Sequence, residues 1–123
     1  TCPKVAVITG DAFGPAYIAL AGKSANADVV IAWPSAVISA LNPEASVEVL
    51  WQDRVAGADK AKRAELAEEY KDTLASPFEA AKGGYVDFIT APENTRQTLV
   101  SVLDMLSGKR VSKMPKKHGN MPL

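Results

Sequence analysis

Apolar residues fall into short continuous runs in the first third of the chain and into helically spaced positions after it. Val5–Ile8 and Val29–Ala32 are unbroken apolar runs. They predict strands buried on both faces, as in α/β or related layered folds. Ser35–Leu41 alternates imperfectly and predicts a further strand. Gly10 to Gly14 is expected to be a turn, with Pro15 at the first position of a helix, where its missing N–H is not needed. That helix would continue through Ala16–Ala25, with Asn26 at its end. Asn42–Pro43–Glu44 predicts a helix start, and the helix would run to about Trp51. In the charged, alanine-rich stretch Asp59–Thr73, Leu66, Tyr70 and Leu74 stand at i, i+4 and i+8, one apolar stripe on a solvated helix. Ser76–Pro77–Phe78–Glu79 has capping-box spacing and starts a short helix that Gly83–Gly84 stops. Tyr85–Ile89 reads as a short strand. Pro92–Leu106 reads as a final helix with Leu99, Leu103 and Leu106 on one face, and Gly108–Leu123 as an extended basic tail.

Composition narrows the class of protein. The chain has 123 residues, 47% hydrophobic and 23% charged, with 14 basic residues balancing 14 acidic ones. A largely disordered chain would carry fewer apolar residues and more net charge. A dedicated nucleic-acid binder would show a basic excess, and none is expected as a partner. Basic residues cluster only between Lys109 and Lys117. One cysteine, Cys2, excludes an internal disulfide, and with no CxxC pair there is no structural zinc motif. The single histidine, His118, cannot build a metal site alone, so no metal is expected. No apolar run approaches the roughly 20 residues that span a bilayer, and a cytoplasmic location is the expectation. The chain opens without Met and almost directly on a strand, as a processed product or one piece of something longer would.

The most visible motif is Val5–Gly10 followed by Gly14–Pro15–Ala16 at a helix start. As a dinucleotide fingerprint it is deficient. Ala16 replaces the last glycine, Pro15 removes a backbone donor, and the second strand ends in Ala32–Trp33 instead of an acid for the ribose hydroxyls. The same geometry, a strand turning through glycine into a helix, can present free N–H groups to a developing negative charge. The plainer reading, that Gly14 only permits a tight turn, stands beside it. His118, in Lys116–Lys117–His118–Gly119–Asn120, reads as a solvated or interface residue, and Cys2 has no paired base. The charges of Lys60, Lys62 and Arg63 against Glu65, Glu68 and Glu69 read as an exposed helix face.

Taken in order, several segments carry a resemblance: Val7–Thr9, Ala12–Gly14, Ala16–Ala19, Ala27–Ala36 with its AWPSA core, Asn42–Glu44, Arg63–Leu66, Glu69–Tyr70, Ser76–Ala81, Gly84–Asp87 and the KKHGNMPL ending, Lys116–Leu123. Together they resemble the C-terminal part of the carboxyltransferase subunit of biotin-dependent acyl-CoA carboxylases and of the methylmalonyl-CoA decarboxylase alpha subunit. The resemblance implies an α/β fold, a crotonase-like (ClpP-like) ββα spiral present here only in part. Residues 1–108 would be the C-terminal half of such a domain and 109–123 a basic tail. It implies carboxyl transfer between carboxybiotin and the α-carbon of a short acyl-CoA, without a metal, using two oxyanion holes made of backbone N–H pairs. It further implies an N-terminal carboxyltransferase chain or domain as partner, a separate biotin carrier protein, and a biotin carboxylase or a decarboxylase membrane subunit, in a hexamer-type assembly.

Carried over by residue, Phe13–Gly14–Pro15–Ala16–Tyr17 stands where the family has Phe/Tyr–Gly–Gly–Ala–Tyr, whose donors are the second glycine and the alanine. The resemblance makes Gly14 and Ala16 the catalytic backbone donors and Phe13, Tyr17 and Ile18 the substrate- or biotin-binding residues. Pro15 departs from it, because proline has no N–H to donate. Leu41–Asn42–Pro43–Glu44–Ala45–Ser46 departs from Met–Gly–Pro–Glu–Gly–Ala, with less freedom to adopt positive φ expected where the glycines are lost. Two readings follow from these departures: an active carboxyltransferase or decarboxylase element, and a non-catalytic assembly element that keeps the fold but has lost the hole.

Overall fold

The structure is a computed structural model and describes residues 2–20 and 22–112. Strand β1 (Val5–Ile8) pairs in parallel with β3 (Val29–Ala32), Val5 opposite Val29 and Ile8 opposite Ala32. Strand β5 (Phe88–Ile89) joins the other edge of β3, also parallel. A second, two-stranded parallel sheet pairs β2 (Asp11–Phe13) with β4 (Val37–Ser39). The expected turn from Gly10 to Gly14 is therefore mostly strand. The bend shrinks to Thr9–Gly10, because Ala12 gains a buried place opposite Ile38. Glycines 10 and 14 consequently flank a strand and form no single loop, which removes the geometry of a dinucleotide fingerprint.

Period-two alternation in β3 explains the layers. Val29 and Ile31 face helix α6 (Thr95–Leu106) and pack with its Val102, Leu99 and Leu106. Val30 and Ala32 face the second sheet and pack with Ile8, Ala12, Ala36, Ile38 and Val86. Beyond that sheet, helices α2 (Pro43–Leu50), α3 (Gln52–Val55) and α4 (Lys60–Thr73) enclose a third cluster of Val47, Val55, Leu66, Tyr70 and Ala75. The inward face of α6 is thus Leu99–Val102–Leu106. Leu103, expected on it, is half exposed, since a residue at i+4 from Leu99 drifts past the narrow strip of sheet that α6 covers. In α4, Leu66 and Tyr70 are buried as expected, but Leu74 lies outside at the helix C-cap.

Several ends follow their sequence signals. Asn42 accepts a hydrogen bond from the Ala45 N–H at 2.8 Å and caps α2. Its φ is −62°, so the missing glycine there imposes no backbone strain. Ser76 caps α5 (Pro77–Lys82) by accepting from the Phe78 N–H at 3.2 Å. Helix α1 (Gly14–Ala19) is shorter than expected. A separate 3₁₀ turn at Lys23–Ala25 follows it, and Asn26 in the left-handed region turns the chain toward β3. The final helix likewise begins with a 3₁₀ turn, Pro92–Asn94. Lys109 reaches back to Asp28 at 2.7 Å, so the chain is tied down beyond Gly108. His118 and the rest of the KKHGNMPL ending lie outside the described residues. Among the described residues no helix is long and apolar enough to cross a membrane.

Two aspartates pin the first sheet. Asp87 accepts from Lys23 Nζ and from the Val30 N–H at 2.8 Å. Burial alone would raise its carboxyl, but Lys23 and the Val30 N–H outweigh it and hold it below the ordinary value. The Lys109 hydrogen bond, with the Lys4 N–H, likewise holds Asp28 low. Both folded values lie below the unfolded one, so the unfolded chain binds more protons as the solution is acidified. Their contribution is complete above roughly pH 4, the ordinary aspartate range, and is lost as pH falls through the folded values. Thermal melting followed by circular dichroism is expected to hold its midpoint down to about pH 5 and then fall. Asp87→Asn combined with Asp28→Asn should lower the neutral midpoint by a few degrees and flatten the acid limb. An unchanged acid limb in that double variant would contradict the assignment.

Candidate active site

The site is built where β2 runs into α1. Phe13 ends the strand in an extended conformation, φ −121° and ψ 143°, and serves as N-cap. Gly14 follows at φ 51°. A Cβ there would meet the Ala40 carbonyl oxygen at 3.3 Å, so both the conformation and the close approach call for glycine. Pro15 occupies the first turn of α1 and Ala16 comes next, exposed. The amides of Gly14 and Ala16 belong to the first turn, whose N–H groups have no carbonyl four residues back within the helix. Pro15 interrupts them with no N–H of its own.

Two open cavities meet at this turn. The first, about 470 Å³, is lined by Gly14, Tyr17 and Ile18 from α1, by Ser39 and Ala40 after the β2–β4 pairing, and by Tyr70 and Leu74 from α4 among others. The second, about 460 Å³, runs along β1 and β2 and is lined by Phe13, Ala16 and Tyr17. Of the residues expected at the site, Gly14, Tyr17 and Ile18 therefore share one cavity, and Phe13 and Ala16 share the other. Tyr17 forms the wall between them. Its ring lies against Gly22, where a Cβ would come within 2.9 Å of it. Its hydroxyl is buried without a hydrogen-bond partner among the described residues. Burial pushes the phenol above its ordinary value. The Lys23 backbone N–H, which makes no hydrogen bond of ordinary geometry to it, opposes this, and Tyr85 adds to it. Ile18 is 53% exposed at the mouth of the first cavity.

The sequence gives no signal for the polar wall of that cavity. Ser39 is brought opposite Phe13 only by the β2–β4 register, and its hydroxyl lies 3.0 Å from that of Tyr70. Tyr70 reads from the sequence as one member of an apolar stripe, which it also is: its ring meets Trp51 edge-on at 5.8 Å. Arg54 stacks 4.6 Å over Trp51 and holds Glu69 with both nitrogens, at 3.1 and 2.8 Å. Among the described residues no group of His, Cys, Asp and Glu could hold a metal ion. Cys2 is exposed and distant in sequence from the turn. The chemistry available is that of backbone donors, hydroxyls and the Glu79 carboxylate around a partly apolar cleft.

Comparison with known proteins agrees in kind. Residues 1–121 match the carboxyl transferase domain. The carboxyltransferase subunit of propionyl-CoA carboxylase from Haloferax mediterranei is 45% identical over the whole of this chain, which covers 24% of that protein. The methylmalonyl-CoA decarboxylase subunit alpha of Propionigenium modestum is 41% identical, with the same coverage of each. Among solved structures, the transcarboxylase 12S hexamer with hydrolysed methylmalonyl-coenzyme A bound superposes over all of this chain and 24% of its own, with a TM-score of 0.81 and 39% identity. The chain thus spans about a quarter of the relatives it matches. A match that runs from the first strand past the last helix, at this identity and with the same backbone path, makes the chain a member of the carboxyl transferase domain family.

Proposed function

We propose that this chain is the C-terminal part of a biotin-dependent acyl-CoA carboxyltransferase, moving a carboxyl group between biotin and the α-carbon of a short acyl-CoA. The observation that carries the reading is the turn at Gly14, in which a positive-φ glycine sets the first-turn amides of α1 at the meeting of two cavities. Backbone N–H groups fixed in this way stabilise an oxyanion without reorganising as charge develops. The fold would then be the crotonase-like ββα spiral, here in part, with its two small parallel sheets stacked. Among the described residues the outer edge of β1 has no strand beside it, which suits continuation of the sheet by an N-terminal carboxyltransferase chain or domain, in a hexamer-type assembly like that of the transcarboxylase relative. Tyr17 and Ile18 would contact the ligand in the first cavity. The residues present fit biotin, whose compact bicyclic head suits a cleft of mixed hydroxyl and apolar lining. When bound on its carrier protein, biotin supplies the site that accepts or gives the carboxyl group. No metal is required by the donor set.

Pro15 favours a second reading, an assembly element with a degenerate hole. One assay separates the two. The chain is co-expressed with the remaining three quarters of a carboxyltransferase relative, and carboxyl exchange from methylmalonyl-CoA or malonyl-CoA to free biotin is followed with labelled carboxyl. Exchange above that of the N-terminal portion alone is the expected result. A folded, complete assembly with no exchange would sink the catalytic reading.

A further inference from the structure

Tyr17 lines both cavities, and its place depends on the missing side chain of a residue outside the turn. Gly22 is buried, with φ −60° and ψ 174°, an extended backbone that any L-residue adopts. The backbone therefore does not call for glycine there; the Tyr17 ring does. A Cβ on Gly22 would meet the far edge of that ring at 2.9 Å from Cζ, 3.0 Å from Cε2 and 3.3 Å from Cε1. Ordinary contact begins at 3.4 Å, so one group would have to shift by about 0.5 Å in a close-packed place. The Gly22 backbone is the held partner. Its N–H donates to the Tyr17 carbonyl at 3.3 Å, and its carbonyl accepts from the Ala25 and Ala27 N–H groups at 2.9 and 3.4 Å. The ring is the partner free to yield. Helix α1 has no buried residue, and no hydrogen bond among the described residues holds the Tyr17 hydroxyl. Gly22 belongs to the lining of the second cavity and not of the first, so a ring pushed off it moves toward the first.

We propose that Gly22 is a positioning residue, which by carrying no side chain seats the Tyr17 ring and so sets the width of the first cavity from outside it. Its consequence for turnover rests on the proposed carboxyltransferase function, whereas the seat itself does not. A side chain as small as that of alanine narrows the cavity by moving one wall, with no change in the polar groups that line it. On that function Tyr17 is wall and not reacting group. The loss then falls on ligand binding in ground state and transition state alike, raising KM and leaving kcat nearly unchanged.

Two readouts test the seat, one of them independent of activity. The chain has three tyrosines, and 13C labelling at their ε positions reports each ring by NMR, with Tyr17 assigned through Tyr17→Phe. In Gly22→Ala, folded by circular dichroism, the Tyr17 signal is expected to move. An unmoved signal would overturn the proposal. In the complete assembly, Gly22→Ala should raise KM for free biotin about tenfold and change kcat by less than about twofold, since a misplacement of about 1 Å can cost about 10²-fold. Tyr17→Leu supplies the control, because leucine lacks the far ring atoms that the Cβ would meet. It carries its own cost, to which Gly22→Ala should add nothing. No rise in KM with Tyr17 present, or an equal rise in the Tyr17→Leu background, would overturn the proposal. Should Gly22→Ala fail to fold, recovery of the fold by Tyr17→Leu would identify the ring as the cause and support the seat, and failure of the double variant as well would overturn it. A wild-type assembly without exchange counts against the catalytic reading alone, and the Tyr17 signal then decides the seat.

Discussion

Replacing Pro15 with Gly is expected to raise carboxyl exchange in the complete assembly by about 10²–10³-fold, the usual worth of one oxyanion donor. The reason is local. Pro15 sits in the first turn of α1, where its missing N–H breaks no helical bond and its fixed φ favours the helix. On the proposed function it is thus harmless to folding while withholding a donor from the oxyanion turn. Substitution by Gly should cost about 1 kcal/mol or less of stability, through the freer unfolded chain. Pro15→Ala is the informative companion. The only described positive-φ position in this turn is Gly14, so alanine can take the Pro15 conformation and restore the same N–H. Both variants gaining turnover would identify the donor as the cause. A gain in Gly alone would point to backbone freedom instead. A wild type already fast, and unmoved by either substitution, would show that Gly14 and Ala16 suffice.

What the sequence reveals here divides along the range of the forces involved. Val29–Ala32 is legible because a strand buried on both faces must be apolar throughout, and all four residues are buried. The caps at Asn42 and Ser76 are legible because a side-chain oxygen and an amide two or three residues later settle them. Asp11–Phe13 is illegible as a strand. Three residues beside two glycines carry no period, and only pairing with Val37–Ser39 makes them extended. The inward choice of Val102 over Leu103 likewise depends on where a narrow sheet meets α6. At the site, Gly14 and Tyr17 stand out through the turn and through the family resemblance. Ser39 and Tyr70 do not, since their meeting joins residues 31 positions apart on two different elements.

Ile31 sits at the point where these long-range choices converge, and Ile31→Ala is expected to be the most damaging single truncation in the fold. The side chain is fully buried. Its strand lies between β1, where Val7 is its partner, and β5, where Phe88 is. Its face carries Val102 with Leu99 and Leu106 of α6. A truncation there removes three carbons from a place that neighbours on three elements cannot collapse to fill, which costs about 2–5 kcal/mol. Against a total stability of roughly 5–15 kcal/mol for a domain, that is enough to unfold much of the population on warming. Leu103→Ala, the position that the helical spacing nominates for the same face, should change stability by no more than about 0.5 kcal/mol, because the side chain is half in water. Urea unfolding of both variants checks the contrast. Comparable losses in the two would mean that α6 is rotated relative to the sheet. Repeating the pair in the full carboxyltransferase assembly tests separately for a partner on this face, since a Leu103 cost that is absent from the chain alone and appears on assembly requires one.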